Sequence, residues 1–369
     1  MFNSQLSENS TLRFSSLQRN LRRFLYSIGS TVVFLNSNTA LAIMGDAIPS
    51  DREPLFAGAC RIHVMERGFD AQNREQRVSL AMCTGTLIDE ESFPASLRSQ
   101  VSQNSTDKNA ASPSRSRYLL TAAHCDPSLS ITPSPNVATQ LRELRNSRRT
   151  AMVDCRGYSQ QGQPLSFRSE VAAFFRNPNW RNGENPTLAN AARDLGVVRL
   201  AEPIPIAPAH LPEEGSSRSF ISGHLTHYCA AAGVGEDRFG RVGRINIVRI
   251  PRELPARIEA GLVSAQDVQM ASDFRGFEVK PGDSGGPIYC NSNVDMSPPT
   301  IYAVHSVTIQ MGGALGALLA SRDLRMTGFS SVLVEQNLPL IVRGFRAVQP
   351  EAERPNLSIG DRVRRFWSN

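Results

Sequence analysis

The sequence predicts an all-β fold with one helix near its C-terminal end, and three observations carry that expectation. Short apolar, β-rich runs recur with turn residues between them: Ala59–Met65, Val78–Cys83, Gly85–Ile88, Tyr118–Thr121, Leu195–Leu200, Ile245–Ile250, Ile301–Val304 and Ser330–Val334. Few windows sustain helical periodicity over more than three turns. A hydrophobic fraction of 40% against 20% charged residues supports a buried core along most of the 369-residue chain, which is long enough for one large or two modest units.

Taken in order, residues 1–42 hold one acid, Glu8, and the basic residues Arg13, Arg19, Arg22 and Arg23. The apolar stretch Phe24–Leu35 and the small-residue exit Ala40-Leu41-Ala42 follow. These are the three parts of a secretory signal peptide, with cleavage expected after Ala42; the apolar stretch is shorter than the ~20 residues of a membrane span. The alternative reading is an amphipathic or buried N-terminal helix. No other stretch is long and apolar enough to cross a bilayer. Segments 92–117 and 126–150, rich in Ser, Asn, Pro and Arg, read as long solvated loops inserted into a scaffold. A short helix is expected around Ser264–Gln269 and a longer one over Glu335–Phe345, with residues 346–369 as a charged tail containing Pro350 and Pro355.

The formal net charge is +6, and apart from Lys108 and Lys280 the basic residues are arginines scattered along the chain, so no nucleic-acid partner is expected. Cysteines stand at 60, 83, 125, 155, 229 and 290, with no Cys-x-x-Cys pair of the kind zinc sites use. With a signal peptide, disulfides in an oxidising compartment are the expectation, and a secreted or periplasmic location with them. His224-Leu225-Thr226-His227 reads as a polar strand edge rather than a metal site, and no metal is expected.

The chemistry lies in three blocks. Thr121-Ala122-Ala123-His124-Cys125 follows a strand-like run, Asp194 opens another, and Gly282-Asp283-Ser284-Gly285-Gly286-Pro287 precedes a third. A serine hydroxyl is a poor nucleophile at neutral pH; it needs a neutral imidazole to take its proton and a carboxylate to hold that imidazole's tautomer. His124, Asp194 and Ser284 can supply that set. Glycines around the serine permit a tight turn that aims the N–H groups of Gly282 and Ser284 at one point, where an oxyanion would form.

Together these blocks resemble the chymotrypsin/trypsin-like serine peptidase family, in the order His, Asp, Ser. The resemblance extends to Cys83-Thr84-Gly85-Thr86-Leu87-Ile88, similar to the family's Cys-Gly-Gly-Thr-Leu-Ile strand. It also covers Phe175–Trp180 before the aspartate, and Cys229–Gly235, where Val234 replaces the usual Trp. It implies two six-stranded antiparallel β-barrels, over about 43–200 and 201–345, with the catalytic groups at their junction. It implies a serine endopeptidase acting on protein or peptide substrates as a monomer, with a protein inhibitor as a further partner class and no cofactor. The rival reading is a catalytically silent binding or regulatory homologue on the same scaffold.

The resemblance also implies the bridges Cys83–Cys125 and Cys229–Cys290, leaving Cys60 and Cys155 to pair with each other. The family's two bridges flanking the specificity pocket have no counterpart, since 251–289 lacks cysteine and Lys280 stands where one would be. Ile43 resembles the mature N-terminus of active members, whose ammonium pairs with the aspartate before the nucleophile, here Asp283. Glu278, six residues before Ser284, sits where an acid selects basic P1 side chains. His305, just before the backbone-contacting Ser306, resembles instead the pocket histidine of glutamyl-specific members.

Overall fold

A computed structural model describes residues 58–101, 116–129, 131, 133–158, 164–181, 193–214, 227–235, 245–249, 264–265, 268–272, 282–292, 299–310 and 327–349. Six strands make the first unit: β1 (Ala59–Phe69), β2 (Glu75–Ile88), β3 (Ser116–Thr121), β4 (Arg145–Tyr158), β5 (Pro164–Arg176) and β6 (Gly196–Ile204). They close into an antiparallel barrel in the order β1-β2-β3-β6-β5-β4. Alternating inward residues, among them Ile62, Leu87, Leu119, Val153, Val198 and Leu200, fill its interior. The β1–β2 turn is set by Asp70, whose Oδ1 accepts the N–H groups of Gln72 and Arg74, each at 2.9 Å.

The second unit comprises β7 (His227–Gly233), β8 (Asn246–Arg249), β9 (Ser264–Ala265), β10 (Val268–Ser272), β11 (Pro287–Ser292), β12 (Thr300–Gln310) and β13 (Thr327–Leu333). Among the described residues these form one seven-stranded antiparallel sheet, ordered β8-β7-β11-β12-β13-β10-β9. The sequence-based count of six strands is therefore exceeded here. The core between the two units joins Ile88, Tyr118 and Leu120 of the first to Ala230, Ala232, Tyr289, Ile301 and Val304 of the second.

Helices α1 (Ala95–Val101), α2 (Pro135–Glu143) and α3 (Leu338–Val348) complete the description. The segments expected as loops thus carry structure: α1 and the start of β3 fall within 92–117, and α2 and the start of β4 within 126–150. The helix expected at Ser264–Gln269 is replaced by β9 and β10, because Val268 and Gln269 pair with Val332 and Ser331 on β13. Sheet pairing there overrides local preference. The C-terminal helix opens with a 3₁₀ turn at Glu335–Asn337, and Pro339 sits in the first turn of α3, where its missing N–H costs nothing. It runs on to Val348, and its apolar face, Leu338, Ile341, Val342, Phe345 and Val348, packs over β5 and β6 of the first barrel.

Two disulfides are defined. Cys60–Cys155 ties β1 to β4 at directly opposed positions with Cα atoms 4.2 Å apart, and Cys83–Cys125 ties β2 to the turn after β3. Cys229 and Cys290 are register partners on β7 and β11. Among the described residues no helix is long and apolar enough to cross a membrane.

Candidate active site

Strand register explains why distant residues meet. Thr121, the last residue of β3, pairs with Gly85 on β2 and with Gly196, the first residue of β6. Three residues beyond Thr121 the chain reaches His124, and two before Gly196 lies Asp194, so both emerge at one end of the barrel. His124 sits in a 3₁₀ turn, Ala123–Cys125, anchored by buried Ala122 and Ala123 and by the Cys83–Cys125 bridge.

Asp194 is fully buried and accepts three hydrogen bonds. The His124 N–H donates to Oδ1 at 2.9 Å, the ring Nδ1 lies 2.7 Å from Oδ2, and the Ser306 hydroxyl donates to Oδ2 at 2.5 Å. An ionised carboxylate only accepts, so Nδ1 carries the proton and Nε2 of the neutral ring is left as the basic nitrogen. Burial alone would raise the Asp194 pKa; the attraction of the imidazole and the donated bonds outweigh it and hold the carboxyl below its ordinary range. For His124 burial opposes the charged ring, but the Asp194 charge and bond prevail and raise its pKa above the usual value. The ring remains 28% exposed, open to a reacting partner.

Asp194 is placed by a residue the sequence did not single out. Leu195 N–H donates to Arg193 C=O at 2.9 Å, a three-residue turn with Asp194 at its apex. Buried Asn177 grips both flanks: its N–H donates to Leu195 C=O at 3.1 Å and its Nδ2 to Arg193 C=O at 2.8 Å. Its Oδ1 accepts the Asn179 N–H at 3.0 Å. The Phe175–Trp180 block was visible in the sequence, but nothing in it marked this bracket.

The loop carrying Ser284 is pinned from both units. Ser284 C=O accepts the Thr84 N–H at 2.7 Å, and Gly282 C=O accepts the Thr84 hydroxyl at 3.0 Å, both from β2. From β12, His305 C=O accepts the Gly285 N–H at 2.7 Å, and the His305 N–H donates to Gly286 C=O at 2.8 Å. Gly282 and Gly285 have φ of 101° and 82°, a region that glycine enters freely, and a Cβ on Gly285 would lie 2.1 Å from the Thr121 hydroxyl. Among the described residues neither the Gly282 nor the Ser284 N–H donates to a protein acceptor. Ser284 C=O lies 3.7 Å from Sγ of Cys125, next to the histidine, although no bond joins Ser284 Oγ to the ring. Such contacts commonly tighten only with substrate bound.

Asp283 is buried, and its Oδ1 accepts the Gly235 N–H at 3.0 Å. A Cβ at Gly233 would fall 1.9 Å from that oxygen, so the carboxylate can lie there only over a glycine. Its expected partner Ile43, the pocket residue Glu278 and Lys280 lie outside the described residues. His305 is buried in β12, and burial pushes its pKa down to about 3, so the ring is neutral. Ser306, expected to meet substrate backbone, spends its hydroxyl on Asp194. Cys83, His124 and Cys125 cluster at metal-like spacing, but both sulfurs are committed to the disulfide.

The family model described as Trypsin matches residues 83–316, a span that begins in β2 and takes in His124, Asp194 and the serine loop. Matched over more than half its length, and folded as a closed antiparallel barrel beside a second sheet, this chain belongs to the trypsin family.

Proposed function

We propose that this chain is a secreted or periplasmic serine endopeptidase that cleaves peptide bonds through His124, Asp194 and Ser284. The observation that carries the reading is the buried Asp194 carboxylate, bonded to both the main-chain N–H and the Nδ1 of His124. Ser284 Oγ attacks the scissile carbonyl carbon while Nε2 of His124 takes its proton. The resulting oxyanion points toward the N–H groups of Gly282 and Ser284. Collapse of the tetrahedral intermediate transfers that proton from His124 to the departing amine and leaves an acyl-enzyme. Water then attacks the ester with His124 again as base, and Ser284 departs with its proton restored. Asp194 keeps the ring oriented and offsets its positive charge throughout.

Basic P1 residues are the favoured reading, on the resemblance that gives Glu278 the position of a pocket acid; the neutral, buried His305 is poorly suited to holding an anionic side chain. Cleavage after Ala42 would free the Ile43 ammonium for Asp283 and couple export to ordering of the serine loop. The test is intact mass of the exported protein before and after a fluorophosphonate probe. One adduct on a chain starting at Ile43, absent from Ser284→Ala, is expected; a protein inert to the probe in every form would instead favour a silent binding homologue.

A further inference from the structure

Thr84 occupies a position where the resembling family strand has glycine. It is fully buried in β2, and its backbone N–H donates to Ser284 C=O at 2.7 Å, a bond that any residue there could make. Its hydroxyl adds one that glycine cannot: Oγ1 donates to Gly282 C=O at 3.0 Å. Its own C=O is fixed in turn by the Thr121 hydroxyl at 2.7 Å. One side chain and its main chain thus hold the carbonyls of the two residues whose N–H groups face the developing oxyanion.

The tether matters because of what surrounds it. Gly282 has φ of 101° and no Cβ to restrict it, so its peptide planes turn over a wide range unless something holds them. Among the described residues, the Thr84 hydroxyl is the hydrogen-bond partner of Gly282. Two residues upstream, Lys280 stands where the family carries a bridging cysteine, so the chain entering Gly282 lacks that covalent tie. We infer that Thr84 is a positioning residue for the oxyanion hole, its hydroxyl supplying the restraint that the missing bridge would give. This rests on the serine-peptidase reading above.

The experiment compares Thr84→Val, Thr84→Gly and Thr84→Ser with the wild type, using an alkyl fluorophosphonate whose phosphoryl oxygen enters the oxyanion position as Ser284 Oγ displaces fluoride. Loss of one neutral hydrogen bond at that step predicts about a fivefold fall in the maximal labelling rate for Val and Gly. Half-saturation by the probe stays within about twofold, and the acid limb of the labelling profile is unmoved, because His124 and Asp194 are untouched. Thr84→Ser keeps the hydroxyl and labels within about twofold of wild type. Val labelling at the wild-type rate would overturn the inference, as would Ser falling with Val, since packing of the threonine methyl would then be the cause. A wild-type protein that takes no label at all would instead overturn the peptidase reading itself.

Discussion

His124 and Asp194 set the pH at which the proposed chemistry can run. Only the neutral ring accepts the serine proton, so activity is lost as pH falls through the His124 pKa, which Asp194 holds above 6.5. The acid limb of kcat/KM is therefore expected above pH 6.5, and Asp194→Asn should move it downward while lowering kcat by about four orders of magnitude. A pH–rate series on both proteins measures this. Asn177 acts one step further out, through the backbone on either side of Asp194. Asn177→Asp removes the Nδ2 donor to Arg193 C=O and brings a buried carboxylate against that oxygen. A loss of about 1–3 kcal/mol in urea unfolding is expected, with a fall in kcat that exceeds any rise in KM. The pairing of His124 with Asp194 was legible because each lies inside a block of a few residues. Asn177 and the Thr84 hydroxyl were not, because Asn177 acts on main-chain carbonyls either side of Asp194 and the Thr84 hydroxyl reaches a carbonyl 198 residues on, contacts that only the folded chain makes.

At the scale of elements, α3 shows what pattern reading recovers. Leu338, Ile341, Val342, Phe345 and Val348 repeat at helical spacing and mark a buried stripe. Phe345 meets Phe93 edge-on at 5.1 Å and Tyr118 at 4.1 Å between ring centres. Gly344 lets the helix lie close, since a Cβ there would come 2.6 Å from the Phe175 ring. Phe345→Ala is expected to cost about 3–5 kcal/mol, read as a lowered denaturation midpoint with the slope unchanged. Arg346 and Gln349 donate to the C=O groups of Gln100 and Val101, closing the end of α1. Neither α1 nor α2 was foreseen: α1 is too short to show a period, and α2 buries no residue, so it has no apolar stripe. Much of β4 escaped notice for a related reason, since its opening Arg145-Asn146-Ser147-Arg148-Arg149 has the composition of a loop.

The whole molecule combines a covalently tied barrel with a second sheet whose β11 follows the loop carrying Ser284. The all-β class and the bridges Cys83–Cys125 and Cys60–Cys155 were readable before any coordinates. The strand count of the second unit was not, because its pairings join segments as distant as Val268 and Val332. Stability of the assembly should decline in acid. His305 is held neutral in the fold with a pKa of about 3, whereas an unfolded histidine takes a proton near 6.5. The unfolded chain thus binds more protons between those values, so this contribution is present above pH 6.5 and is lost as pH falls toward 3. Thermal midpoints measured across that window should drop, and His305→Leu should flatten the slope.

The position of α3 also has a consequence in time. A ribosome finishes β6 at Ile204 and must make the entire second sheet before Leu338–Val348 can cover β5 and β6. At roughly 5–20 residues per second that interval is on the order of ten seconds. Through most of it the growing chain has a histidine and an aspartate but no serine loop to complete them. Ser284 joins them only after β7 to β10 have been made, and α3 covers the barrel later still.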